Sequence, residues 1–304
     1  MPNNPITLLM IAAHPADCFD QAGGTLAHHA AQGDRVVAVA VSTGVRTHHW
    51  ELLDERMKDQ EEADIESQQA AAIEKKLEET RAACRILGFD DVRTLGFGDD
   101  EQLLTQKLLD AIADVIREER PDIIITHHPY EMGGFKLHGT VGQAVIYAWN
   151  LARGTGHGDQ PTHHASCLYF MNPMAYMGQN TLGYAGASLV TNLVDITDVI
   201  EKKVQAMDLI ASQYYGGAYA RKCHEGGDGH TGQHGHVAYA ESFQSFFPRM
   251  SYTLPISHAD LHRQTETMEQ YVARRSELIA GLMPLPDGQG ITSKYRLTKE
   301  QYDS

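Results

Sequence analysis

The first segment of the chain with residues suited to chemistry contains a histidine and a carboxylate at a spacing that favours metal binding. His14 and Asp17 lie three residues apart, directly after the apolar run 8–13. Such a run is typical of a buried parallel strand, and open α/β sheets bind ligands at the carboxyl ends of their strands. A catalytic zinc takes three protein ligands and keeps one position open. The segment therefore predicts two of three metal ligands.

The third ligand is expected from a neighbouring strand end. The apolar run 123–126 ends at His127 and His128, and His138 opens the next helical pattern. Because parallel strands end at one edge of a sheet, His138 can point toward His14 and Asp17. We therefore predict a Zn²⁺ site, although two histidines and a carboxylate also suit iron or manganese. The alternative is a turn histidine, a helix-capping aspartate and a helix N-terminal histidine that bind no metal.

The elements that must position these residues alternate along the chain. Helical patterns at 21–32, 73–87, 103–119 and 138–152 separate the early strand candidates, which are 6–13, 35–41, 92–95, 123–126, 167–171 and 189–193. This alternation predicts an α/β fold, a Rossmann-like, mostly parallel sheet flanked by helices. A capped helix is expected from 195–198 to about 213. We predict a zinc-binding catalytic domain over 1–250 and a C-terminal helical extension and tail over 251–304.

Two segments interrupt this alternation. Residues 49–69 are strongly acidic and predict either a helical insertion or a solvated loop. Residues 216–236 are rich in glycine and histidine and predict a mobile loop. The histidines of this loop indicate a flexible lid more than a second metal site, and one of them could reach the catalytic site on closure; they are His224, His230, His234 and His236.

The net charge and the residue composition limit the kinds of partner that the chain is expected to bind. A net charge of −15 over 304 residues argues against nucleic acid or an anionic membrane as the main partner. No segment approaches the length of an apolar membrane span. Four widely separated cysteines predict free thiols and a cytoplasmic location. We expect a small anionic or polar substrate, and a homo-oligomer stays open.

The motifs resemble those of the LmbE-like, or PIG-L-type, zinc enzymes over about residues 5–245. That family opens with Ala-His-Pro-Asp-Asp-Glu, followed by Ala-Gly-Gly, and usually carries a later His-Pro-Asp-His. Here these motifs read Ala-His-Pro-Ala-Asp-Cys at 13–18 and Phe-Lys-Leu-His at 135–138. The resemblance implies the fold of the N-acetylglucosaminyl de-N-acetylases, with His14, Asp17 and His138 as the zinc ligands.

Two departures from these motifs bear on the reaction. In the family's deacetylases the first aspartate of the pair is the general base, and here that position is Ala16. A second catalytic histidine is replaced by Phe135. A general acid or base typically contributes about 100- to 10,000-fold to the rate. The family's 4-oxalomesaconate hydratase branch resembles this chain in having His-Pro-Ala-Asp.

We therefore predict a metal-dependent hydro-lyase that adds water to a small unsaturated keto-dicarboxylate. The alternative is a C–N hydrolase, a de-N-acetylase acting on an N-acyl amino sugar, with Asp20 or a histidine in place of the missing base. A non-catalytic zinc-holding or sugar-binding module is a third interpretation, and the retention of all three ligands argues against it.

Further site residues follow from the charges near the strand ends and from the resemblance. For proton transfer or catalysis we predict His48, His128 and Glu79. Arg46 and Lys76 are expected to bind substrate carboxylates, because guanidinium and ammonium groups suit them. Asp99 matches a loop aspartate of the family and is predicted to bind substrate. The competing interpretations are a surface ion pair between Lys76 and Glu79 and a solvated loop at His48.

Overall fold

A computed structural model of the chain describes residues 4–57, 65–100, 103–131, 136–155, 159–173, 190–280 and 295–303. Its strands are β1 (Thr7–Ala12), β2 (Arg35–Ser42), β3 (Asp91–Phe97), β4 (Ile123–Thr126), β5 (Cys167–Met171), β6 (Asn192–Asp195) and β7 (Ala240–Ser245). They form one sheet in the order β3-β2-β1-β4-β5-β7-β6. Strands β1 to β5 pair in parallel, whereas β7 runs antiparallel to β5 and β6. The predicted mostly parallel α/β sheet is confirmed, and β7 is a strand that the sequence analysis did not predict.

Helices cover both faces of the sheet. The helices of the described residues are α1 (Asp17–Asp20), α2 (Gly23–Ala31), α3 (Trp50–Met57), α4 (Ile65–Leu87), α5 (Gln106–Glu119), α6 (Lys136–Arg153), α7 (Ile200–Asp208), α8 (Ala218–His224), α9 (His230–Gly235), α10 (His258–His262), α11 (Met268–Arg274) and α12 (Lys299–Tyr302). Within the acidic segment 49–69, residues 50–57 and 65–69 are thus helical. No helix in the described ranges has the length and apolar character needed to cross a membrane.

The central strand β1 is buried on both faces, as its continuous apolar run predicts. Leu8 and Met10 belong to the core between the sheet and helices α2 and α4. Leu9 and Ile11 belong to the core between the sheet and helices α5 and α6. Because both faces are covered, the loops at the carboxyl ends of the strands are where polar groups can converge.

The glycine- and histidine-rich segment is not the predicted loop. It forms α8, a π-helical turn over Glu225–Gly229, and α9. A Cβ at Gly232 would lie 2.4 Å from the carbonyl oxygen of Ala238, so glycine here permits close packing beside β7. The high glycine content that suggested mobility is in part a packing requirement.

The helix expected from 195–198 also differs from the prediction. Helix α7 starts at Ile200, and its N-cap residue Val199 makes no side-chain cap. Asp195 instead accepts a hydrogen bond from the backbone N–H of Thr197 at 3.0 Å. The last predicted strand, 189–193, is observed as β6, and residue 189 lies outside the described residues.

Candidate metal and catalytic site

His14, Asp17 and His138 come together at the carboxyl edge of the sheet. His14 follows β1, Asp17 opens α1, and His138 lies in the first turn of α6. Nδ1 of His14 lies 2.9 Å from Oδ2 of Asp17, and Nε2 of His138 lies 3.1 Å from both of these atoms. Ligands about 2.0–2.1 Å from a tetrahedral zinc are about 3.3 Å apart. The three predicted ligands therefore present one atom each at nearly the spacing that a zinc ion requires.

The protonation of these groups also fits a cation. Burial lowers the pKa of His14 to about 4, so its imidazole is neutral at pH 7. Although burial raises the pKa of Asp17, the neighbouring His138 and His14 hold it well below its usual range. Burial lowers the pKa of His138, but Asp17 and Glu131 raise it to about 10. Metal ligands must be deprotonated, so a bound cation would replace the proton that the acidic neighbours otherwise hold on His138.

Two further residues, Glu131 and His127, contact the ring of His138. Nδ1 of His138 lies 2.5 Å from Oε1 of Glu131, an arrangement that fixes the tautomer and orientation of metal-binding histidines. The ring of His127 stacks on His138 with centroids 4.0 Å apart. Nε2 of His127 accepts the backbone N–H of Ala13 at 2.9 Å, which orients the loop that carries His14. Glu131 was missed by sequence analysis, because a lone acidic residue seven positions before His138 carries no recognisable pattern.

A glycine allows α6 to approach the end of β4. A Cβ at Gly142 would lie 2.5 Å from the carbonyl oxygen of His127. A larger residue there would push α6, and with it His138, away from the cluster. Phe135, the residue in place of the family's second histidine, lies outside the described residues.

The loop after β2 covers the other side of His14. The ring of His48 lies 3.9 Å from that of His14 between centroids. Asp99 accepts hydrogen bonds from the backbone N–H groups of Arg46 at 3.0 Å and Thr47 at 2.6 Å. Burial raises the pKa of Asp99, but hydrogen bonds from His48, Thr47 and Arg46 hold it well below the usual range. Asp99 thus fixes the loop that places His48 beside a metal ligand.

The predicted cationic residues have partners within the protein. Lys76 is 1% exposed, and its ammonium donates to the carbonyl oxygens of Gly44 at 3.0 Å and His48 at 2.5 Å. Burial lowers the pKa of Lys76 to about 7. Arg46 is exposed and pairs with Asp100 at 2.5 Å. Lys76 is therefore a positioning residue for the loop, and substrate binding by either side chain stays a prediction.

The two other predicted catalytic residues also have identified partners. Glu79 accepts hydrogen bonds from the hydroxyl of Ser212 at 2.6 Å and from its backbone N–H at 3.2 Å. Nε2 of His128 lies 2.8 Å from Oε1 of Gln244 on β7. Glu79 is not part of a surface ion pair with Lys76, and its contacts join α4 to the segment after α7. Catalytic roles for both residues stay predictions.

A cavity of about 220 Å³ begins one helical turn beyond Asp17, at Asp20. Its wall also contains Asn172, Tyr215, Tyr219 and His224. Oδ1 of Asp20 is buried and has no hydrogen-bond partner among the described residues. Burial and then the negative charge of Asp17 raise the pKa of Asp20 well above its usual range. A carboxylic acid that keeps its proton is a hydrogen-bond donor and a poor general base.

A Rossmann-like sheet with a buried His-Asp-His cluster at its carboxyl edge defines a class of α/β proteins with a candidate metal site beside a cavity. The particular family follows from a family model described as PIG-L, GlcNAc-PI de-N-acetylase, which matches residues 9–149. The chain therefore contains a PIG-L, or LmbE-like, family domain over these residues.

Known relatives represent two kinds of reaction. The chain is 26% identical to a diacetylchitobiose deacetylase of Thermococcus kodakarensis over 213 residues. The aligned region covers 70% of this chain and 72% of the relative. The chain is 28% identical over 255 residues to a 4-oxalmesaconate hydratase of Pseudomonas putida, covering 81% and 91%. The crystal structure of GalB, the 4-carboxy-2-hydroxymuconate hydratase of Pseudomonas putida, superposes with a TM-score of 0.67 at 25% identity, covering 82% of this chain and 100% of GalB. These relatives are enzymes, and they include both reaction classes that the sequence left open.

Proposed function

We propose that this chain is a zinc-dependent hydratase that adds water to a small unsaturated keto-dicarboxylate of the 4-oxalomesaconate type. The observation that carries the proposal is Ala16, which stands where the family's deacetylases have their general base. Ala16 is 2% exposed and packs in the apolar core, so its methyl group can neither accept nor relay a proton. Hydratase similarity, in sequence and in structure, extends over more than four fifths of the chain.

The chain's own residues supply the remaining parts of such a site. A zinc ion held by His14, Asp17 and His138 would supply Lewis-acid activation of water or of a substrate oxygen. His48, whose ring centroid lies 3.9 Å from that of His14, would hold or move a proton beside the cluster. The exposed guanidinium of Arg46 lies in the same loop, where it could exchange Asp100 for a substrate carboxylate.

A de-N-acetylase acting on an amino sugar is the second candidate, and the cavity favours it. Among the described residues that line the cavity there is no lysine or arginine. Its hydroxyl, amide and carboxyl groups suit sugar hydroxyls and an amine better than a second carboxylate. In this reaction Asp20 is disfavoured as the replacement base because of its raised pKa.

Mass spectrometry of the products distinguishes the two reactions. The zinc-loaded protein is incubated with a keto-dicarboxylate of the 4-oxalomesaconate type and with N-acetylglucosamine compounds, and Asp17→Asn serves as the inactive control. A product heavier by one water, without acetate, supports the hydratase. Release of acetate and a free amine would replace it with the deacetylase, and turnover of neither compound would contradict both.

A further inference from the structure

The wall of the cavity that contains Asp20 also carries a buried histidine that the site so far does not use. His224 is 4% exposed, and its Nε2 has no hydrogen-bond partner among the described residues. Its other ring nitrogen, Nδ1, lies 2.8 Å from Oδ2 of Asp228. Both residues line the cavity. The pair therefore brings a buried imidazole nitrogen without a partner among the described residues, on a ring oriented by a carboxylate, to the wall of that space.

The π-helical turn Glu225–Gly229 carries Asp228, the partner of His224. Asp228 lies four residues after His224, and π turns occur often at functional sites. The hydroxyl of Tyr239 on the adjoining segment lies 2.6 Å from Oε2 of Glu225 and anchors the turn. The geometry of the pair is thus built into the backbone.

A buried ion network keeps Asp228 charged. The ammonium of Lys203 lies 2.8 Å from Oδ2 of Asp228 and 2.8 Å from Oε1 of Glu241. Burial raises the pKa of Asp228, but Lys203 and His224 lower it below its usual value. A charged Asp228 accepts the N–H at Nδ1 of His224, which leaves Nε2 with a lone pair directed away from it. This is the arrangement by which a carboxylate prepares a histidine for proton transfer.

We propose that the cavity is the substrate-side half of the catalytic site and that His224 is its proton-transfer residue, the role that Ala16 cannot fill. The inference rests on the proposed water-adding function and deepens it. In hydration, Nε2 of His224 takes a proton from the attacking water while the oxygen of that water bonds to one carbon of the double bond. The resulting imidazolium gives this proton to the other carbon, so His224 is neutral again at the end of each turnover.

The same residue serves the alternative reaction. In amide hydrolysis Nε2 of His224 takes a proton from the attacking water and gives it to the departing amine. The test of His224 is therefore separate from the question of which bond is made or broken.

Two variants test the proposal with the zinc-loaded enzyme. His224→Ala removes the imidazole, and His224→Gln keeps an N–H donor for Asp228 but cannot carry a proton. We expect both to lower kcat at least about 100-fold, while bound zinc stays at the wild-type level. Free imidazole, which can enter through the cavity, should restore part of the activity of His224→Ala and none of that of His224→Gln. The matched control is His230→Ala, an exposed histidine of the same segment, which should keep the wild-type kcat.

Wild-type kcat in His224→Ala, or a loss that imidazole does not restore, would overturn the proposal. If the wild type turns over neither test substrate, the proposed function fails, and ¹⁵N NMR of the histidines decides the role of His224 by itself. The Nε2 resonance, assigned with His224→Gln, should then shift when N-acetylglucosamine or the keto-dicarboxylate is added. Its insensitivity to both compounds would refute the placement of substrate beside His224.

Discussion

Two clusters of buried charged residues lie near each other in this molecule, and they differ in what completes them. The ion network joins Lys203 to two carboxylates, those of Asp228 and Glu241, each at 2.8 Å. Glu241 also accepts the backbone N–H groups of Gly24 at 2.9 Å and Thr25 at 2.8 Å, at the start of α2. Cation, carboxylates and helix N-terminus satisfy one another, so this cluster is complete without a ligand.

The metal cluster is arranged in the opposite way. Two imidazole nitrogens and one carboxylate oxygen lie within 3.1 Å of one another, and all three are electron-pair donors. Such a group is stable in a buried position only with a proton or a cation among its members. Both clusters are buried and charged, so burial and charge do not distinguish them. A structural cluster has its opposite charges and hydrogen-bond donors within the protein, whereas a ligand-binding cluster lacks them.

Removing a ligand from the metal cluster should have the largest effect. In His138→Ala the cluster keeps only two donors, so we expect zinc affinity to fall more than about 100-fold and activity to fall to background. Zinc content measured after gel filtration, together with turnover, checks this prediction. His163→Ala, a histidine bonded to the carbonyl oxygen of Pro121 at 2.7 Å, is the control. Full activity in His138→Ala would refute the metal assignment.

Breaking the complete cluster should instead destabilise the fold. Lys203→Met leaves Asp228 and Glu241 as buried anions without their shared cation, which typically costs about 3–5 kcal/mol in the free energy of unfolding. Urea unfolding followed by circular dichroism measures the loss. The neighbouring Lys202 is exposed, so Lys202→Met should change the stability by less than about 0.5 kcal/mol. Equal effects of the two variants would contradict the structural role of the network.

These clusters also differ in how far the sequence predicts them. The residues His14, Asp17 and His138 follow strand ends or open helices, and parallel strands necessarily bring such positions to one edge. Lys203 lies on a helix that the sequence predicted, but Asp228 and Glu241 come from a π turn and an antiparallel strand that no periodicity indicated. The glycine content of 216–236 predicted a loop. This prediction was wrong because the packing of these glycines beside β7 depends on tertiary contacts, which a sequence pattern does not show. Glu131 was missed for a related reason, since its partner His138 is fixed by the docking of α6.

A second variant of the metal cluster distinguishes a predicted metal ligand, His138, from the residue that orients it, Glu131. In Glu131→Gln the three donors remain, but His138 loses the carboxylate that orients its ring at 2.5 Å. We expect a 10- to 100-fold loss of zinc affinity, as is typical when such a partner is removed, with little change in unfolding in the presence of excess zinc. Competition with a chromophoric chelator measures the affinity. An unchanged affinity would show that His138 is held in place by its packing alone.

We expect the smallest effect on stability from a histidine–aspartate pair at the surface, which has the same residue types as the pair His14–Asp17 in the metal cluster. Nε2 of His28 lies 2.9 Å from Oδ1 of Asp198, the same distance that joins His14 to Asp17. Burial lowers the pKa of His28, but the hydrogen bond and charge of Asp198 raise it above 6.5, whereas burial lowers the pKa of His14 to about 4. The carboxylate raises the pKa of the histidine in both pairs, but in the core the effect of burial is larger and the net shift is downward.

For His28 the sign of the pH dependence follows from the raised pKa. The pair should stabilise the fold fully below about pH 6.5, the value for the unfolded chain, and lose this contribution as the pH rises through the folded value. Exposed pairs contribute at most about 1 kcal/mol. Urea unfolding of the wild type and of His28→Gln should therefore differ by up to this amount at pH 5.5 and coincide at pH 8.5. A difference that grows with pH would mean that His28 stabilises the fold in its neutral form, as the buried His14 is expected to do.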